Sequence, residues 1–105
     1  MIVLDSSAAC DMVRKTEEGM AFRALMLSEE KVISCELLRA EVVSIFRKLC
    51  RHGFIPIEKV QSFLTESTAL VNEYYSIQEL QEEVLSESIR LDHSSYDMFY
   101  FVLAR

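Results

Sequence analysis

The sequence predicts one three-layer α/β domain, a short parallel sheet flanked by helices. Three observations predict it. Short apolar runs with strand character, Ile2-Val3-Leu4 and Lys31-Val32-Ile33-Ser34-Cys35, alternate with stretches of helical periodicity. The segments between strands are long enough for helical crossovers, which implies parallel pairing with helices on the sheet faces. The chain has 105 residues, 50% of them hydrophobic, so it supports one core and a single domain over 1–105.

The elements follow in order. Ile2-Val3-Leu4 reads as a short buried strand. Ser6 to Thr16 reads as a helix that Asp5 or Ser6 can cap. Glu17-Glu18-Gly19 reads as a break, and Met20 to Leu27 resumes the helical pattern. Lys31 to Cys35 is the second strand. A long helix follows, from about Glu36 to Arg51, with Leu37, Leu38, Val42, Ile45, Phe46 and Leu49 as its apolar stripe. His52-Gly53 ends it. Pro56 opens the next helix, which runs to about Val71 with Val60, Phe63, Leu64 and Leu70 inward. Glu73 to Ser76 is a third strand. Ser76 and Glu79 have capping-box spacing, and the helix they start carries Leu80, Val84, Leu85 and Ile89. A last helix runs from Ser94 or Ser95 to Arg105. The order is β-α-α-β-α-α-β-α-α.

Bulk properties narrow the function. Seventeen acids against eleven Lys and Arg give a net charge of −6. That argues against simple phosphate-backbone binding, though not against a nucleic-acid enzyme whose carboxylates hold cations. Cys10, Cys35 and Cys50 form neither a disulfide framework nor a zinc pattern. They are expected as buried free thiols, which suits a reducing cytoplasm. The opening apolar run meets Asp5 with no basic region before it, so no signal peptide is expected. The run from Met98 to Ala104 is too short to span a bilayer, so no membrane partner is expected.

Three carboxylates stand out. Asp5 directly follows the first strand, and ligands in open parallel sheets bind beyond the carboxyl ends of the strands. Its other reading is a helix N-cap. Glu41 lies in line with Leu38, Ile45 and Leu49 on the long helix. A carboxylate buried there needs a partner, either an arginine such as Arg39 or Arg23, or a cation. Asp97 follows Ser94 at capping-box spacing and complements the helix dipole. The helix after it is apolar nearly all round, so Asp97, on one face with Phe101 and Ala104, is expected to be buried. In the predicted topology the three acids share one edge of the sheet. Like charges held close require a cation, and oxygen-only ligands favour Mg²⁺ or Mn²⁺.

The ordered set Ile2-Val3-Leu4-Asp5-Ser6-Ser7, Leu37-Leu38-Arg39-Ala40-Glu41-Val42, and Ser95-Tyr96-Asp97-Met98-Phe99-Tyr100 with Leu103-Ala104 resembles a PIN-domain ribonuclease of the VapC toxin type. The resemblance spans the whole chain. It implies a PIN-like parallel α/β fold and metal-dependent cleavage of RNA, in a toxin held in check by a cognate antitoxin. It implies catalytic and metal-binding roles for Asp5, Glu41 and Asp97, with Mg²⁺ or Mn²⁺ as cofactor, and assistance from Ser6 or Ser7. The family continues past this last helix into a further strand ending in another acid. Without that strand Ile2-Val3-Leu4 is left at an open edge, and a homodimer is expected to cover it. The alternative expectation is a non-catalytic, truncated PIN-like interaction module.

Other features are weaker. Arg39, Arg47, Lys48, Arg51 and His52 give the long helix a basic side that either contacts RNA phosphates or is an ordinary solvated face. His52 and His93 belong to no nucleophile pattern. Tyr74-Tyr75 reads as strand packing. The two glycines make no phosphate-binding loop.

Overall fold

In the computed structural model the chain forms β1 (Ile2–Val3), α1 (Ser6–Val13), α2 (Glu17–Met26), β2 (Val32–Cys35), α3 (Leu37–Arg51), α4 (Ile57–Ala69), β3 (Glu73–Tyr75), α5 (Ile77–Leu91) and α6 (Ser95–Ala104). The structure describes residues 1–26 and 31–105, with the backbone only at Phe22 and Leu25. The expected end of the second helix at Leu27 lies outside the described residues. The sheet is parallel in the order β1-β2-β3, with Ile2 beside Val32 and Ile33 beside Glu73. β1 therefore sits at a sheet edge. Among the described residues no helix is long and apolar enough to cross a membrane.

All four residues of β2 are buried, so its alternating side chains serve two cores. Val32 joins Leu4, Ala9, Met12, Leu38, Val42 and Phe46 beneath α1, α3 and α4. Cys35 joins Leu37, Val84, Met98, Phe99 and Val102 beneath α5 and α6. Neighbouring Leu37 and Leu38 thus feed different cores. Two polar bonds staple the short strands: Ser34 Oγ donates to the Leu4 carbonyl at 2.7 Å, and Asn72 Oδ1 accepts from the Val32 amide at 2.7 Å.

Local signals place several ends. Ser76 and Glu79 form the expected capping box. His52 closes α3, and Gly53 follows at φ 80°, a conformation glycine adopts without steric cost.

Other expectations are corrected. Glu17-Glu18-Gly19 is not a break. It forms the first turn of α2, where acids suit the helix dipole and Thr16 Oγ1 accepts from the Gly19 amide at 3.1 Å. The chain turns earlier, at Lys15 (φ 58°). Gly19 is needed for close approach, since a Cβ there would collide with the Asp11 carbonyl. On α5, Val84 is buried and Leu80 half-buried, but Leu85 and Ile89 face outward. Cys10 and Cys35 are buried free thiols, whereas Cys50 is half-buried. Burial pushes the Cys10 thiol up to about 12, helped by the negative charge of Asp11. A thiol so shifted is unreactive at neutral pH.

Candidate functional site

Helices that follow parallel strands begin at the carboxyl end of the sheet. α1 starts just beyond β1 and α3 just beyond β2, so the N-termini of both helices meet at that end. α6 reaches the same place through Tyr100, whose hydroxyl donates to Glu41 in the early part of α3.

Asp5 caps α1. Its Oδ1 accepts from the Ala8 amide at 2.8 Å, and the rest of the side chain is exposed. The capping reading of this residue is therefore correct, and it leaves the second carboxylate oxygen clear of that bond.

Glu41 is half-buried and its partners are hydroxyls, not arginines. Its Oε1 accepts from Ser6 Oγ at 3.3 Å and from the Tyr100 hydroxyl. Arg39 turns away from it. Arg39 Nε bonds Glu36 at 2.7 Å, and its guanidinium stacks on the Tyr74 ring 3.9 Å from the centroid. Tyr74 in turn donates to the Thr68 carbonyl at 2.6 Å, so the Tyr74 half of the pair is structural.

Asp97 is a correction. It is exposed, as are Phe101 and Ala104 on the same face. The apolar composition of α6 does not bury it all round, because only the side carrying Met98, Phe99 and Val102 packs on the sheet. Ser94 makes no side-chain cap bond. Asp97 lies one turn before Tyr100, the residue that reaches Glu41. Ser7 is exposed, and it is Ser6 that reaches Glu41.

Tyr100 is the participant that sequence reasoning missed. It falls within an apolar run, and nothing in the run distinguishes its hydroxyl from those of other tyrosines. Burial holds its phenol well above the usual range, and the hydrogen bond and negative charge of Glu41 raise it further. It therefore remains a donor at any physiological pH.

The carboxylate oxygens suit a hard divalent ion in chemistry. Their arrangement does not match it: among the described residues no three His, Cys, Asp or Glu side chains are grouped to hold a metal ion. The geometry builds instead a hydrogen-bonded centre of Ser6, Glu41 and Tyr100, with Asp5 next to it in sequence and Asp97 one helical turn away.

The basic residues of the later turns of α3 lie elsewhere. At 1.5 Å per residue, Arg47 is about 9 Å and Arg51 about 15 Å along the helix from Glu41. Arg47 and Arg51 line an apolar groove with Val43, Phe46, Ile57 and Leu64. The structure does not bring them to the carboxylates.

No protein-family model matches the chain, and no curated protein matches it.

Proposed function

We propose that this chain is a divalent-metal-dependent ribonuclease of PIN-like type, acting in the cytoplasm as a toxin restrained by a cognate antitoxin. The observation that carries the reading is Glu41. A half-buried carboxylate at the carboxyl end of a parallel sheet, tied to α1 and α6, occupies the address where such folds place chemistry. Asp5 follows β1 directly, and Asp97 lies one helical turn before Tyr100, which donates to Glu41. Mg²⁺ or Mn²⁺ is the cofactor this reading calls for, and its carboxylate donors would have to close together to hold one, since among the described residues they are not grouped. The chain's own residues supply negative charge and hold it in place. Asp5 is fixed through its cap bond, Glu41 through two hydroxyls, and Asp97 is presented to solvent. The same reading has β1, an edge strand, covered by a second copy in a homodimer.

A second reading is an interaction module without catalysis. The ungrouped acids favour it, as does the apolar groove beside exposed Val43 and Ile57. Purified protein is incubated with RNA and Mn²⁺ beside Asp5→Asn. Cleavage by the parent and a loss of about 100-fold or more in the variant supports the nuclease, on the scale set by removing one electrostatic group from an active site. Equal degradation by both sinks it. Folded protein with no cleavage in either sample favours the interaction module.

A further inference from the structure

The geometry points to the groove between α3 and α4 as a docking site for an acidic amphipathic helix of a partner polypeptide. The inference goes beyond the nuclease reading and does not depend on it. No residue of the groove belongs to the Ser6–Glu41–Tyr100 centre, and binding there calls for neither cleavage nor a metal ion.

The groove is shaped for a helix. Its volume is about 460 Å³. Val43, Phe46 and Cys50 form one wall, and Ile57, Val60 and Leu64 form the other. Both sets have the spacing i, i+3, i+7. Each wall is therefore a single stripe about two turns long, roughly 10 Å at 1.5 Å per residue. A furrow between two such ridges receives the apolar face of a third helix whose anchors repeat at the same spacing. Val43 is 51% and Ile57 71% exposed, so the lips of the walls stand in water. The base is firm: Phe46 is buried in the larger core, and Val60 and Leu64 pack against that core. A docked helix meets a surface that is already formed.

Charge selects the occupant. The groove carries two cations, Arg47 and Arg51, and no acid. They lie one turn apart on α3, about 6 Å along its axis. The ion pairs among the described residues engage Lys31, Arg39, Arg90 and Arg105, and they leave both groove arginines without an acidic partner. In a chain of net charge −6 this is a local excess of positive charge beside apolar walls. A helix that sets carboxylates one turn apart beside its apolar anchors complements both features. Other occupants complement only one. A second copy using the same groove across a two-fold axis would set one basic surface against another. A second copy offering exposed Leu85 and Ile89 of α5 brings few free acids, because Glu79 is held in the capping box and Glu83 and Glu87 pair with Arg105. RNA phosphates gain nothing from apolar walls, and an anionic bilayer is repelled by the net charge.

The probe is a fluorescein-labelled peptide of roughly 12 residues, stapled because helices so short are marginal in water. It carries leucines at i, i+3 and i+7 with glutamates one turn apart beside them. A second peptide has lysines in place of the glutamates. Anisotropy titrations use the full chain, and circular dichroism checks that each variant is folded. The acidic peptide is expected to bind about tenfold or more tightly than the basic one, and Arg47→Glu with Arg51→Glu to reverse that order. Ile57→Ser is expected to weaken the acidic peptide about tenfold or more, the effect of losing one buried aliphatic side chain. If the double variant does not fold, Ile57→Ser decides alone. Equal binding of the two peptides overturns the inference, as does parental affinity in folded Ile57→Ser. Self-association in sedimentation that Ile57→Ser abolishes also overturns it and gives the groove to a second copy. No binding of either peptide overturns it too; RNA or phosphatidylglycerol vesicles bound by the parent and released by the double variant would then be the occupant.

Discussion

On one face of the sheet Val32 and Leu4 lie under α1, α3 and α4, in a core that includes Met12, Leu38, Val42 and Phe46. On the other face Cys35 meets only α5 and α6 through Leu37, Val84, Met98, Phe99 and Val102. The first face is closed. The second is thin: among the described residues its cluster of buried side chains is the smaller, while helices on both faces leave apolar residues in solvent, Val43 and Ile57 on the first and Leu85, Ile89 and Phe101 on the second. The difference shows where the molecule draws most of its stability. Side chains with no water access and close-packed neighbours carry the folding energy. The Ser6–Glu41–Tyr100 centre joins the two regions: Ser6 and Glu41 come from helices of the closed face, and Tyr100 from a helix of the thin one.

The comparison is broken most severely at Phe46, which is 1% exposed and stacked on Phe63 with ring centroids 6.2 Å apart. Phe46→Ala is expected to cost about 3–5 kcal/mol, a large part of what a small domain has. Urea unfolding followed by circular dichroism gives the value. A midpoint close to that of the parent would mean that the closed face is not the main support.

Leu37 and Leu38 sharpen it, since they are neighbours on one helix. Leu38 is fully buried in the larger core and Leu37 lies at the margin of the smaller one. Leu38→Ala is expected to cost about 2–5 kcal/mol, with Leu37→Ala at or below the lower end of that range. Chemical denaturation of both variants tests the ranking, and the reverse order would show that the α5–α6 side is the tighter one.

The smallest effect belongs to Ile89, which is 72% exposed on α5. Ile89→Gln is expected to change stability by no more than about 0.5 kcal/mol. A loss beyond 2 kcal/mol in a melting curve would mean that the outer face of α5 is covered in solution, with association as its cause.

Legibility in the sequence follows the range of the interactions. The Ser76–Glu79 capping box spans four residues and could be read directly, as could the closing of α3 at His52-Gly53. The alternation of strands and helices was also readable, because its periodicity is local. Glu17-Glu18-Gly19 misled because glycine marks either a break or a close approach, and only the packing of α2 on α1 distinguishes them. Asp97 misled for a related reason. A helix apolar on every side does not say which side the sheet takes.

The carboxylates show the same division. That Glu41 needed a partner followed from its place in an apolar stripe, since desolvating a carboxylate without a donor is costly. An arginine or a cation was the partner that the sequence offered. The fold instead supplied Ser6 and Tyr100, and tied Arg39 to Glu36 and Tyr74. The sequence by itself determined the element order, the parallel sheet and the positions of Asp5 and Glu41 at the starts of helices, because periodicity, capping and crossover length are properties of neighbouring residues. Only the tertiary structure decided which hydroxyls meet Glu41, which face of α6 is wet and how the two cores divide the sheet. Those contacts join residues tens of positions apart, and a linear pattern carries no record of which distant side chains the packed faces bring together.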